Sequence, residues 1–187
     1  ISLTIDGAGT ADVITGTNAN DTIDGAGGQD TLTGGAGDDS FEAISTATAL
    51  STITDYQAAA AAGDNDTVEV TVAVVAASIA AQDVTGVVTG DTGTLTAETS
   101  AGGVLTLTGL AADTGAVDTL AEWIAVAGVV SAIGTAADVL VFEFAGNTYI
   151  YEDAVTTSAE VMTIELTGVT GITAVSTTAA ADTVLIA

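Results

Sequence analysis

A nine-residue period at the head of the chain limits its fold more than anything that follows. Gly34-Gly35-Ala36-Gly37-Asp38-Asp39-Ser40-Phe41-Glu42 has glycine at the first, second and fourth places, aspartate at the sixth and a large apolar residue at the eighth. Stepping back by nines gives Gly25-Ala26-Gly27-Gly28-Gln29-Asp30-Thr31-Leu32-Thr33, then Gly16 to Asp24, then Gly7 to Thr15. The first glycine, the aspartate and the apolar residue hold register through all four units. Each unit reads as a six-residue turn followed by a three-residue strand. Glycine permits the positive φ that such turns need and lets their carbonyls point inward. Two units complete one coil, so units two apart lie on the same side. Ile14, Ile23, Leu32 and Phe41 then stack into a thin core, with Ile5 one step earlier in phase. One edge pairs Asp12 with Asp30 and the other pairs Asp21 with Asp39.

Inward carbonyls and aspartate carboxylates are hard oxygen donors of the kind calcium prefers. The last unit fits G-G-x-G-x-D-x-U-x at every fixed place (U, large apolar), and the series resembles the calcium-binding parallel β-roll repeat of RTX proteins. The expected ligands are Asp12, Asp21, Asp30 and Asp39 with the turns of Gly25, Gly27, Gly34, Gly35 and Gly37. Ala26 replaces a second-place glycine, and Thr10 and Ala19 replace fourth-place glycines, so the first two turns are the weaker candidates. Five stacked apolar side chains cannot offset the entropy of ordering this much backbone. Rows of like charge oppose the coil further. The expectation is a segment disordered without metal, with calcium binding supplying its folding free energy.

Charge narrows the partners. The chain has 187 residues, 25 acidic side chains and no lysine, arginine or histidine, giving a formal charge of −25. Nothing here can neutralise phosphate, which argues against nucleic acid and anionic membrane surfaces as partners. Divalent cations or cationic surfaces suit it instead. Cysteine and proline are absent, so disulfides contribute nothing. No apolar run is long enough to span a bilayer, and no membrane insertion is expected. Val72–Ala77 and Ile124–Val130 read as a buried strand and a buried helix. No N-terminal signal peptide is recognisable, and a start at Ile1 suggests the C-terminal piece of a longer protein.

The glycine and aspartate density falls after Glu42, and a stretch of Thr, Ala and Ser over 43–51 leads out of the repeats. The expected division is a roll over residues 1–52 and a β-rich domain over 53–187. Ile53-Thr54-Asp55-Tyr56, followed by Gly63-Asp64-Asn65-Asp66-Thr67-Val68-Glu69-Val70, resembles the segment after the repeats in serralysin-type proteases. That resemblance implies Asp55 and Asp66 as further calcium ligands, with Asp64 a weaker one; a solvated acidic turn is the plainer alternative. Val68–Val75 alternates as a strand does. Short strands are expected around Thr85–Val88 and Thr94–Ala97, and further ones at Val104–Leu107, Val161–Leu166 and Thr183–Ile186. Thr119-Leu120-Ala121-Glu122 is a capping box opening a helix that runs to about Ile133, with Leu120, Trp123, Ile124 and Ala127 on one face. Asp138–Phe144 and Thr148–Tyr151 flank Ala145-Gly146-Asn147 as a hairpin.

The order of that helix, Phe142 to Ile150, Ile164 to Val169 and an acidic then apolar tail (Asp182 to Ala187) resembles the C-terminal region of RTX-type bacterial surface-layer proteins. The resemblance implies export by the type I secretion apparatus, with the tail as its signal or simply a last edge strand. In such domains Asp commonly stands where this chain has Asn147, which puts a metal site at that hairpin in doubt.

Catalysis lacks its parts. Without His, Cys, Lys or Arg there is no nucleophile–base triad, no zinc site and no phosphate clamp. Asp91-Thr92-Gly93 and Asp113-Thr114-Gly115 spell the aspartic-protease tripeptide, but both sit in one Thr/Gly-rich stretch and read as turns. The expectation is therefore a non-enzymatic all-β chain: a short parallel β-roll continued by a β-rich C-terminal capping domain with one helix. Its expected role is calcium-dependent folding, secretion and assembly of an extracellular surface-layer protein into a lattice or filament. The alternative is the C-terminal secretion domain of a secreted metalloprotease, lipase or adhesin.

Overall fold

Strands of three residues recur along the repeats because only places seven to nine of each unit escape the turn. In the computed structural model, which describes residues 1–42, 50–58, 64–70, 79–84, 87, 95–100, 102–108, 119–133, 139–153, 161–178 and 183–186, these are β1 (Thr4–Asp6), β2 (Val13–Thr15), β3 (Thr22–Asp24), β4 (Thr31–Thr33) and β5 (Ser40–Glu42). The chain alternates between two sheets. β1, β3 and β5 pair in parallel, with Ile5, Ile23 and Phe41 in register. β2 and β4 do the same, with Ile14 opposite Leu32. The central side chains point inward and bury, and their neighbours alternate outward, as a period of two requires.

The coil outlives its nine-residue period. β6 (Ser51–Ile53) lies parallel to β4, and β7 (Thr67–Glu69) lies parallel to β5, which places Ile53 and Val68 in the same apolar stack. Residues of these last rungs that face each other are 21 and 27 apart, against 18 within the repeats. β6 itself spans residue 52, so the ladder runs through that point.

C-terminal strands then close each sheet. β13 (Val161–Leu166) lies parallel to β6, followed by antiparallel β12 (Asn147–Asp153) and β11 (Val139–Phe144). β15 (Thr183–Ile186) lies antiparallel to β7, followed by β14 (Val175–Thr178). Ala145 and Gly146, at φ 52° and 85°, make the type I′ turn that suits a two-residue hairpin between β11 and β12. A single segment crosses both outer edges. Gly102 O accepts from Val175 N at 2.9 Å and Gly103 O from Val141 N at 3.0 Å, and Val104 bridges to Val141.

A third, antiparallel sheet of β8 (Ile79–Asp83), β9 (Thr96–Thr99) and β10 (Leu105–Thr108) and the helix α1 (Leu120–Ile133) cover the other face of β11 and β12. Both faces of that hairpin are buried, which explains the unbroken apolar run Val139–Phe142. The helix opens on the expected capping box: Glu122 N donates to Thr119 Oγ1 at 3.3 Å and Thr119 N to the Glu122 carboxylate at 3.1 Å. Its deepest residues are Val126, Ala127 and Val130, one step round from the expected face; Leu120, Trp123 and Ile124 pack at the margin. Gly128 is there for space, since a Cβ would sit 3.0 Å from the Tyr151 hydroxyl.

The fold is thus mostly β with parallel strands and one helix, as expected. Some details differ. β7 ends at Glu69, Val87 is in a turn, and β14 was not anticipated. The expected strand at 72–77, the two tripeptides at 91–93 and 113–115, Gly63, Asp138, Asp182 and most of the exit stretch 43–51 lie outside the described residues.

Candidate metal site

The aspartates form two columns, one on each edge of the roll. On the first edge Asp21 N donates to Asp39 Oδ1 at 2.8 Å, and Asp39 N donates to Asp66 Oδ1 at 3.0 Å. Leu3 stands at the top of this column and donates its N–H to Asp21 Oδ1 at 2.7 Å. On the second edge Asp12 N donates to Asp30 Oδ1 at 3.0 Å. That column ends at Ser51, whose hydroxyl accepts from Asp30 N at 3.3 Å. One oxygen of each aspartate below the top rung therefore ties it to the turn above. The other oxygen decides what else can bind.

That second oxygen has two fates, set by the residue at the second place of the unit. In the first two units Ala8 N and Thr17 N fold back onto Asp12 Oδ2 and Asp21 Oδ2 at 2.7 and 2.6 Å. In the last two units the backbone reverses at that place, with φ of 55° at Ala26 and 107° at Gly35. Their N–H groups then leave the home aspartate. Ala26 N goes to Asp24 Oδ1 at 2.6 Å and Gly35 N to Asp55 Oδ2 at 2.8 Å. Asp30 Oδ2 keeps only the Ser51 hydroxyl, at 3.3 Å. Asp39 Oδ2 keeps nothing: it is one of two buried side-chain polar atoms without a hydrogen-bond partner among the described residues, the other being the Ser131 hydroxyl in α1.

The glycines keep the space around these oxygens open. A Cβ on Gly25 would lie 2.7 Å from Asp30 Oδ2, and one on Gly34 would collide with Asp39 Oδ2. A Cβ on Gly7 would sit 2.7 Å from the Gly25 carbonyl and 3.1 Å from Asp12 Oδ2. Carboxylate and carbonyl oxygens thus converge beside the first-place glycines. Gly28 at φ 152° and Gly37 at φ 113° hold the fourth place. Side chains there would strike the turn 18 residues earlier, at Thr10 O and Asn20 N. Gly28 carries this role in the third unit. It was not singled out from the sequence because Gly27 beside it fills the same stretch; a Cβ on Gly27 would meet nothing closer than Gly9 Cα at 3.9 Å.

Residues beyond the repeats complete the first edge. Asp55 accepts from both Gly34 N and Gly35 N, at 2.9 and 2.8 Å. Asp66 Oδ2 accepts from Gln57 N at 2.8 Å, and Asp64 Oδ1 from Gly37 N at 3.2 Å. Asn65 N donates to Asp38 Oδ1 at 2.9 Å, and Asp38 N to Asn20 Oδ1 at 3.2 Å, so Asn20 and Asn65 serve as turn-stacking residues.

Electrostatics follow from this crowding. Burial first, then the carboxylates of Asp66, Asp21 and Asp55, push Asp39 up to about 6, against the opposing hydrogen bond from Asp21 N. Asp66 is raised by burial and by Asp55 and Asp64. Asp21 is the contrast. Burial pushes it up as well, but the N–H groups of Leu3 and Thr17 and the Thr17 hydroxyl outweigh that and lower it. Asp39 is 2% exposed, carries a free oxygen and has no cationic side chain to meet it. Among the described residues no three carboxylates converge as a ready-made cage, so a cation would rest on one or two carboxylates and turn carbonyls. Such a donor set is all hard oxygen and fits calcium.

Asn147 belongs to a different kind of turn. Its amide donates to Glu165 Oε1 at 2.6 Å and accepts from Gly168 N at 2.9 Å, so it links β12 to β13.

No curated protein matches this chain. A family model, the RTX calcium-binding nonapeptide repeat in four copies, matches residues 6–41. Residues 6–41, which carry Asp12, Asp21, Asp30 and Asp39, are therefore RTX calcium-binding repeats, and their parallel strands support an RTX β-roll.

Proposed function

We propose that the chain is the calcium-dependent folding and export module of a secreted bacterial structural protein of the surface-layer type. The observation that carries this reading is the buried, unpartnered Oδ2 of Asp39. It lies in a carboxylate column of a chain without lysine, arginine or histidine. Asp39 with the turn of Gly34, Gly35 and Gly37 would hold one ion, with Asp66 below it. Asp30 with the turn of Gly25 and Gly28 would hold another on the opposite edge. Calcium, when bound, supplies the positive charge that these columns lack.

The chain's own residues do the rest. At low calcium, repulsion along Asp21, Asp39 and Asp66 opposes stacking of successive coils, which keeps the segment extended and fit for passage through a type I exporter. At the millimolar calcium of an extracellular medium, weak sites of this class fill. Phe41 and Leu32 then meet Val68 and Ile53, and β13 and β15 gain the strands they pair with. Binding at the roll thereby licenses the C-terminal sheets. The non-catalytic part of the reading rests on composition, and the surface-layer part on the order of elements after the repeats. Copies brought together in calcium are then held at the cell surface.

Export tests the reading. The chain, co-expressed with a type I exporter, is expected to reach the medium and to become protease-resistant only there. Retention inside the cell, or equal protease resistance on both sides, would overturn it.

A further inference from the structure

The two aspartate columns end on different chemistry. Backbone register makes Asp66 and Ser51 equivalents: Thr67 N donates to Asp39 O on the first edge and Thr52 N to Asp30 O on the second, both at 2.8 Å. Both residues are buried. On the first edge Asp39 N meets a carboxylate, Asp66 Oδ1, at 3.0 Å. On the second edge Asp30 N meets the Ser51 hydroxyl at 3.3 Å, and that hydroxyl turns back to donate to Asp30 Oδ2 at 3.3 Å. A neutral group that both accepts and donates therefore satisfies Asp30 without any cation. Nothing does the same for Asp39, whose Oδ2 is buried without a partner.

The surroundings differ in the same sense. The carboxylates of Asp66, Asp21 and Asp55 all act on Asp39, and Asp64 reaches the same turn through Gly37 N at 3.2 Å. Below Asp30, residues 43–51 contain neither an acidic residue nor a glycine. The affinity of an all-oxygen site for calcium rises with its count of charged ligands and with its rigidity. A cation on the first edge relieves repulsion among carboxylates that are already crowded. A cation on the second edge must take Asp30 Oδ2 from the Ser51 hydroxyl and finds less charge when it arrives. We infer that the roll carries two unequal calcium sites, a tight one at Asp39 and a weak one at Asp30, and that Ser51 in the place of Asp66 sets the difference. Their affinities should differ by about tenfold or more. Stacking of the coils then depends on metal at the first edge, and the second edge fills afterwards on a coil that has already formed. This inference rests on the calcium reading above and adds to it which edge requires the metal.

The test is calcium uptake by the whole chain in equilibrium dialysis, with circular dichroism at each free calcium concentration. Salt at about 0.15 M screens diffuse attraction to the acidic surface. The expected uptake has two steps about tenfold or more apart, with the β signal rising in the first alone. Asp39→Asn should remove the first step and the signal that accompanies it, whereas Asp30→Asn should remove only the second step. Ser51→Asp should move the second step about tenfold lower in calcium, toward the first. Ser51 is fully buried, so if Ser51→Asp does not reach the wild-type spectrum, the two asparagine variants decide. Three results would overturn the inference and leave the calcium reading standing: uptake in a single step, a spectrum lost as completely in Asp30→Asn as in Asp39→Asn, or a folded Ser51→Asp whose second step stays where it was. A chain that takes up no calcium, or whose spectrum ignores it, would instead remove the reading beneath it.

Discussion

Protons and calcium compete for Asp39, and the structure sets the size of the contest. Its carboxyl is raised to about 6 in the metal-free fold, first by burial and then by Asp66, Asp21 and Asp55. At pH 7 about nine-tenths of the folded molecules carry it ionised, and at pH 5 about one-tenth do. A ligand carboxylate must be ionised to hold the metal. The affinity of the folded, metal-free roll for calcium should therefore fall about tenfold between pH 7 and pH 5 through this one group. The metal-free fold has the opposite slope. A carboxyl raised above its unfolded value of 3.8 binds its proton more tightly when folded, so metal-free stability increases as pH falls from above 6 to below 3.8. Asp39→Asn keeps an acceptor for Asp21 N and abolishes the titration. It should lower calcium affinity at pH 7 and flatten the pH dependence of that affinity between 5 and 7. The assay is a calorimetric calcium titration at each pH, wild type against variant, in an osmolyte that keeps the roll folded before metal is added, with circular dichroism to check that it is. A wild-type affinity that does not move with pH, or a variant whose affinity moves as much as the wild type's, would refute this account of the site.

Other substitutions read other parts of the fold. Gly35→Ala places a Cβ against the Thr17 carbonyl at a φ of 107°, and should cost more than about 1 kcal/mol in calcium; Gly9→Ala, with nothing within 4 Å, is the neutral control, and thermal melting separates them. Phe41→Ala empties the largest fully buried position of the roll and should remove about 3–5 kcal/mol, which a urea titration in saturating calcium would register as a lost or strongly shifted transition. Thr119→Ala breaks the capping box of α1 and should cost about 1 kcal/mol without moving the calcium midpoint.

The repeats were legible because their period is rigid. Once Ile14, Ile23, Leu32 and Phe41 face inward, strand register and the two aspartate columns follow from geometry. The hairpin at Ala145-Gly146 and the helix from Thr119 were legible for local reasons, turn chemistry and capping. What the sequence hid was non-local. Ser51–Ile53 and Thr67–Glu69 continue the coil at spacings of 21 and 27 residues, which no fixed period betrays. β14 has no alternation of its own to mark it. The reversal at Ala26 was hidden as well, since alanine rarely takes positive φ and its neighbours must impose it. That reversal and the one at Gly35 separate the last two turns from the first two. The first two were weaker by their missing fourth-place glycines, but the filled second oxygens of Asp12 and Asp21 are a feature only the backbone shows.

The account stands on metal holding successive coils together. Far-ultraviolet circular dichroism of the whole chain, titrated with calcium and then returned to chelator, measures this most directly, with magnesium as the parallel arm. The prediction is β signal that rises with calcium, disappears with chelator and fails to form in magnesium, whose strict octahedral shell suits these sites poorly. A spectrum that is the same in chelator as in calcium would contradict it.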